Sequence, residues 1–298
     1  MTDSSITLFD RQTLRQRRDR AAASREADFL FDHTASFLAE RLEDVTREFP
    51  RVLDLSCRHG PLKAMLETRA ATQSVIRADL SPAMIATQAG PAFVCDEEWL
   101  PVKEGALDLI TSNLALHWVN DLPGALIQIR RALKPDGLFL ATLLGGETLS
   151  DLRQVLLEAE AAITGGAAPR VSPFMDVREA GGLLQRAGFA LPVADIDRVR
   201  VSYQSALKLI ADLSAMGESN CLRERSRKPL RRAVLMEAAK RYHDRFDGGP
   251  LSVRFDVITL TGWAPHPDQQ KPLKPGSAQA RLADALGTVE HPAGEKPG

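Results

Sequence analysis

No stretch of this chain is long and apolar enough to cross a bilayer. The run from Leu138 to Leu144 is among the longest, and a spanning helix needs ~20 such residues. Charge of one sign is also missing, with 38 Lys and Arg against 39 Asp and Glu. That balance excludes the global basic field that draws proteins to nucleic acid, so partners have to be recognised locally. Cysteine is scarce. The three present, Cys57, Cys95 and Cys221, are odd in number, widely spaced and without a CxxC pair, so no zinc site or disulfide framework is expected and a reducing cytoplasm fits them. There is no GxxxxGK[ST] phosphate loop, which argues against a nucleoside triphosphatase, nor an HExxH or a nucleophile-elbow GxSxG. No internal repeat is present.

What the chain does have is enough apolar residue for a full core, 44% of 298 positions, in a length that suits one large domain. From Val52 onward short apolar runs alternate with longer amphipathic stretches, the pattern of βαβ units. Strands are expected at Val52 to Leu55, Ser74 to Ala78, Ala92 to Val94, Leu107 to Ser112 and Leu138 to Leu143. Ser81 followed by Pro82 reads as a helix N-cap with proline in the first turn. Lys134-Pro135-Asp136-Gly137 reads as the turn between a helix and the next strand. After Gly145 and Gly146 the pattern is mainly helical, with helices near 148–163, 177–187, 206–216 and 230–246 and strands at 194–201 and 253–260. Six arginines, Arg11, Arg15, Arg17, Arg18, Arg20 and Arg25, open the chain like a targeting helix, but the interspersed Asp3, Asp10 and Asp19 weaken that reading. A solvated helix face is expected instead. The organisation that follows is a helical arm over 1–49, a Rossmann-like core over 50–145, a remainder with a helical cap over 146–263, and a disordered tail over 264–298, rich in proline and charge.

In an open α/β sheet ligands sit beyond the carboxyl ends of the strands, so polar residues that close each strand are the first candidates for chemistry. Asp54 ends the first, just before Leu55-Ser56-Cys57-Arg58-His59-Gly60. Asp79 ends the second, where a carboxylate can accept both hydroxyls of a ribose. Asp96 follows the third, and Asn113 ends the fourth, with His117 and Trp118 close behind. Each has a plain structural alternative, since Asp after a strand often caps a helix and a His-Trp pair can pack under a loop. Their joint order carries more weight than any one of them.

That order, written LDLSCRHG, ADLSPAMI, CDEEWLPV, LDLITSNLALHWVNDL and LKPDGLFLAT, resembles the class I methyltransferase family over roughly residues 50 to 145. The phrases LFDRQTLRQRRDRAA, LLGGETLSDLR, VSPFMDV, LLQRAGF, DLSAMGESN and ITLTGW are similar to the mitochondrial complex I assembly factor 5 group and its bacterial relatives, over residues 8 to 263. A second similar group is the malonyl-carrier-protein methyltransferases of biotin synthesis. The resemblance implies a Rossmann-like α/β fold, S-adenosylmethionine as cofactor, and hydroxylation of an arginine in the quinone-proximal subunit of NADH dehydrogenase. The partner is then a protein, with no nucleic acid. The place is a bacterial cytoplasm with peripheral contact to the membrane-bound complex, or the mitochondrial matrix in a eukaryote.

Carried over residue by residue, the resemblance puts Asp54, Ser56, Arg58, Gly60, Asp79, Leu80, Asp96, Glu97 and Asn113 at the cofactor, and Trp118 and Glu147 at the substrate. His117, an imidazole facing the space between cofactor and substrate, and Glu218 and Asn220, polar groups suited to a guanidinium, are the catalytic candidates. One departure stands out: the family usually has glycine where this chain has Ser56 and Arg58, because the backbone there takes angles that only glycine reaches cheaply. Either Arg58 pairs with the cofactor carboxylate, or binding is weakened and the chain works partly as a scaffold. Hydroxylation also needs an oxidant, and neither a two-His-one-carboxylate spacing nor a further dinucleotide fingerprint is present. Methyl transfer therefore stays open as a competing reaction.

Overall fold

Five of the apolar runs form a parallel set in a computed structural model, which describes residues 7–68, 72–269, 281, 283, 284 and 287–289. They are β1 (Arg51–Leu55), β2 (Ser74–Asp79), β3 (Ala92–Val94), β4 (Leu107–Asn113) and β5 (Leu133–Gly145). Most of their residues are buried on both faces, which is why they read as continuous apolar runs. Two long strands, β6 (Ala190–Tyr203) and β7 (Leu251–Trp263), complete a seven-stranded sheet in the order β3-β2-β1-β4-β5-β7-β6. β7 runs antiparallel to both neighbours.

Helices cover both faces. On one side α5 (Leu122–Ala132) and α7 (Val177–Arg186) pack on Leu53, Ile110, Phe139, Ala141 and Ile258. On the other, α2 (Phe29–Glu43) and α3 (Lys63–Thr68) cover Val52, Leu109 and Leu138. The expected helical cap is the continuation of that second layer. There α6 (Ser150–Thr164), α8 (Ala206–Ala215) and α9 (Arg232–Asp244) bury Leu144, Val253, Phe255 and Val257. Short α4 (Pro82–Ala86) has the expected cap, with Ser81 Oγ accepting from Met84 N at 3.1 Å. The Lys134–Gly137 turn is absorbed into β5: Asp136 takes φ 59° and the pairing jumps from Leu107↔Leu133 to Leu109↔Leu138.

Packing groups residues 1–265 in one unit and 266–298 in another. The expectation of a disordered tail falls mostly outside the described residues. Among the described residues no helix is long and apolar enough to cross a membrane.

The arm contributes α1 (Arg11–Ala21), begun by Asp10, whose carboxylate accepts from Thr13 N at 3.0 Å. Leu14, Arg18 and Ala21 form its buried stripe at i, i+4 and i+7. The solvated-face reading of the arginine run therefore holds for exposed Arg15, Arg20 and Arg25 and fails for Arg18, which is fully buried. Phe9 and Leu14 pack against Leu80, Trp118, Cys221 and Leu222, so the arm crosses the carboxyl ends of the parallel strands.

Candidate cofactor cleft and adjoining cavity

The turn after β1 has left-handed backbone at three alternate positions, Ser56 (φ 63°), Arg58 (φ 49°) and Gly60 (φ 76°). The loop thus keeps a glycine-type path although two of its three left-handed residues carry side chains, at about 1–2 kcal/mol each. The path brings Arg58 N to 3.0 Å from Asp79 Oδ2, while Ser81 N donates to Asp79 Oδ1 at 2.8 Å. Asp79 closes β2 with no exposed surface. Inside β1, Asp54 accepts from Thr111 Oγ1 at 3.2 Å, and its Oδ2 has no partner among the described residues. Burial pushes the Asp54 carboxyl up to about 7, against the pull of Thr111.

Two arginines of α1 reach these strand ends. Arg18 Nη1 lies 2.8 Å from Glu97 Oε1 and 3.6 Å from Asp79 Oδ1. Arg11 Nη2 donates to Asp96 Oδ1 at 2.7 Å and also to Glu97. Ser56 Oγ donates to Glu97 Oε1 at 2.5 Å, so the loop, β3 and α1 meet on one carboxylate. Burial alone would raise the Glu97 pKa, but Arg18 and Arg11 hold it well below the ordinary carboxylate range. Sequence reasoning had no place for Arg11 and Arg18, whose partners lie roughly eighty residues away. The available signal was that Arg18 falls on the apolar stripe of α1.

A second buried network starts from the Arg58 side chain, which lies 3.8 Å over the Phe31 ring and donates from Nη2 to Met216 O and Glu218 Oε1, both at 2.6 Å. The other oxygen of Glu218 accepts from Trp118 Nε1 at 2.7 Å and sits 3.1 Å from His117 Nε2. Since Leu144 N donates to His117 Nδ1 at 3.4 Å, the hydrogen bonds assign the imidazole proton to Nε2, which then donates to Glu218. Burial would raise the Glu218 pKa, but Arg58 and the His117 hydrogen bond bring it down to about 2. Glu218 is delivered by the end of α8, where Gly217 takes φ 75° and Glu218 N donates to Leu213 O at 2.9 Å, a Schellman closure.

Beside this network, an apolar cavity of about 180 Å³ opens between α6, α8 and residues 170–174. Leu144, Leu149, Leu152, Leu156, Phe174, Ile210 and Leu213 line it, and Trp118, Arg170, Glu218, Ser219 and Asn220 form its polar wall. The fold thus brings Trp118, Glu218 and Asn220 together, with His117 behind Glu218. It does not bring Glu147 there: that side chain is exposed, and its N–H donates to Asp256 at 2.9 Å. Asn113 is a strut between α2, β4 and β5, accepting from Thr34 and Thr142 at 2.7 and 2.6 Å and donating to Phe31 O at 2.9 Å. Asn220 likewise folds its own loop, donating to Pro169 O and accepting from Leu222 N. All three cysteines are free and buried, which raises their thiol pKa values and keeps them protonated.

A parallel sheet whose penultimate position in space is taken by a reversed last strand, with acidic groups closing β2 and β3, defines the class: a Rossmann-like methyltransferase fold. A methyltransferase-domain family model matches residues 14–192. The arginine-hydroxylase NDUFAF5 of Danio rerio is 39% identical over 289 residues, covering 94% of this chain and 89% of that protein. The malonyl-[acyl-carrier protein] O-methyltransferase of Methylovorus sp. strain MP688 is 31% identical, covering 95% of each. Among solved structures, YcgJ of Bacillus subtilis superposes with a TM-score of 0.54 at 15% identity, covering 78% of this chain and 99% of that one, a likeness of fold alone. The chain belongs to the methyltransferase-domain family, and within it to the group of the arginine hydroxylase NDUFAF5.

Proposed function

We propose that this chain binds S-adenosylmethionine and acts in the assembly of respiratory NADH dehydrogenase by modifying an arginine of its quinone-proximal subunit. The observation that carries this reading is the 39% identity to NDUFAF5 across nearly the whole chain, β6 and β7 included, against 31% for the carrier-protein enzyme.

The donor set fits the cofactor. In this reading Asp79 accepts ribose hydroxyls and Asp96 and Glu97 face the adenine side, supported by their positions at the ends of β2 and β3 and by the left-handed turn after β1. Arg58 Nε and Nη1 are buried without hydrogen-bond partners among the described residues, and a ligand carboxylate is the acceptor they lack. When bound, the cofactor supplies a sulfonium with an electrophilic methyl group. Arg18 and Arg11 now hold the carboxylates that would meet it, so binding requires α1 to release them. On the substrate side, Glu218 already holds one guanidinium, that of Arg58, and a substrate arginine that reaches this carboxylate does so in exchange for Arg58. His117, proton on Nε2, positions Glu218 for that contact.

In cells lacking this protein, the arginine of that subunit should be unmodified and the assembled complex depleted. Mass spectrometry of the subunit decides the reaction, because hydroxylation adds an oxygen and methylation a methylene. If biotin restores growth while the arginine stays modified, the carrier-protein reading replaces this one.

A further inference from the structure

Next to the apolar cavity lies an open depression lined by Arg17, Arg170, Arg225, Arg227 and Lys228 and by no carboxylate. The two share Arg170, Asn220 and Leu230, so the basic depression adjoins the cavity. Arg170 is neutralised by Glu160 and Arg225 by Asp10. Arg17, Arg227 and Lys228 have no carboxylate partner among the described residues, and Arg227 and Lys228 are exposed. The segment that carries them, Arg223 to Arg232, holds six basic residues and one acidic one. Unpaired cations beside the cavity favour an anion, while the wall that α6 and α8 give it favours apolar groups.

We propose that this compound site binds an anionic amphiphile: an aliphatic chain seated among Leu152, Leu156, Ile210 and Leu213, with a carboxylate or phosphate at its end held by Arg17, Arg227 and Lys228. A dry cavity of ~150 Å³ accepts benzene, so about 180 Å³ takes a chain of roughly six to eight carbons. The Glu218 carboxylate at the inner wall does not repel the chain, because Arg58 already neutralises it. This inference goes beyond the arginine reading, since it rests only on the cavity and its rim.

The test titrates the full chain by calorimetry with butanoate, hexanoate, octanoate and decanoate, with octanol as the neutral control. Binding should be saturable and strengthen roughly fourfold per added methylene, levelling off at about eight carbons as the cavity fills. Octanol should bind at least tenfold more weakly than octanoate. Lys228→Glu with Arg227→Glu, both at exposed positions, should remove that difference and leave octanol binding unchanged. Ile210→Trp should abolish binding of both. Flat titrations overturn the proposal, as does equal binding of octanol and octanoate. Binding to phosphatidylglycerol vesicles without binding of octanoate also overturns it, because the rim would then be a surface for lipid headgroups and the cavity would play no part.

Discussion

Arg58 sits at φ 49°, where a side chain costs about 1–2 kcal/mol relative to glycine, and its guanidinium also neutralises a carboxylate that has only 3% of its side chain exposed. The second effect is the larger, since removing one partner of a buried pair costs about 3–5 kcal/mol. Arg58→Gly should therefore lower stability by about 2 kcal/mol in urea denaturation even though it relieves strain. The double variant with Glu218→Gln should recover most of that loss. An Arg58→Gly protein more stable than wild type would mean that the pair contributes nothing. Asp54 gives a pH dependence. Its folded pKa of about 7 stands above the ordinary 3.8, so its contribution to stability is full below 3.8 and is lost as pH rises through 7. Asp54→Asn keeps the shape and removes the titration. Between about pH 4 and about pH 8 the wild type should lose stability relative to this variant. Parallel profiles for the two proteins would show that Asp54 is ionised throughout.

At the scale of elements, α1 and the end of α8 are built to touch. A Cβ at Gly217 would meet Ala21 Cβ and Arg17 O at 3.3 Å, and φ is 75°. Gly217→Ala should cost about 1–2 kcal/mol through its left-handed backbone alone. It should also loosen α1, which faster amide exchange over 11–21 would reveal; unchanged exchange would show that α1 does not lean on this turn. The strands β1 to β4 were legible in the sequence to within a residue because runs such as Val52 to Leu55 are short, apolar and bounded by turn residues. β6 was only partly legible, expected over 194–201 and formed over Ala190–Tyr203. As an edge strand it alternates charge with aliphatics and blurs at its ends. Asp54 lies inside β1, whereas Asp79 at the end of β2 and Asp96 just past β3 were legible as strand-end acids. The arginines that cover them were not, because no local spacing links Arg18 to Glu97. Nor did spacing show that Glu218 would be taken by Arg58 from the far end of the fold.

In the whole molecule, β1 and β4 lie side by side where the strand order reverses direction, and the crevice beyond their carboxyl ends is the expected place for a nucleotide-type ligand. Here that crevice is closed by the chain itself. The arm lays Arg18 and Arg11 on Asp79, Asp96 and Glu97, while Arg58 fills the loop and ties it to Glu218. Arg18 Nε and Nη2, Arg58 Nε and Nη1 and Asp54 Oδ2 are all buried without partners among the described residues. The unmet Arg58 donors suit a ligand carboxylate, while Arg18 occupies the carboxylates that such a ligand would meet. Titration of S-adenosylmethionine into the full chain by calorimetry, alongside Asp79→Ala and Arg18→Gln, tests this account most directly. It predicts saturable binding to the wild type, loss in Asp79→Ala and tighter binding in Arg18→Gln, where the competing cation is gone. Flat titrations at millimolar ligand in both the wild type and Arg18→Gln would contradict it.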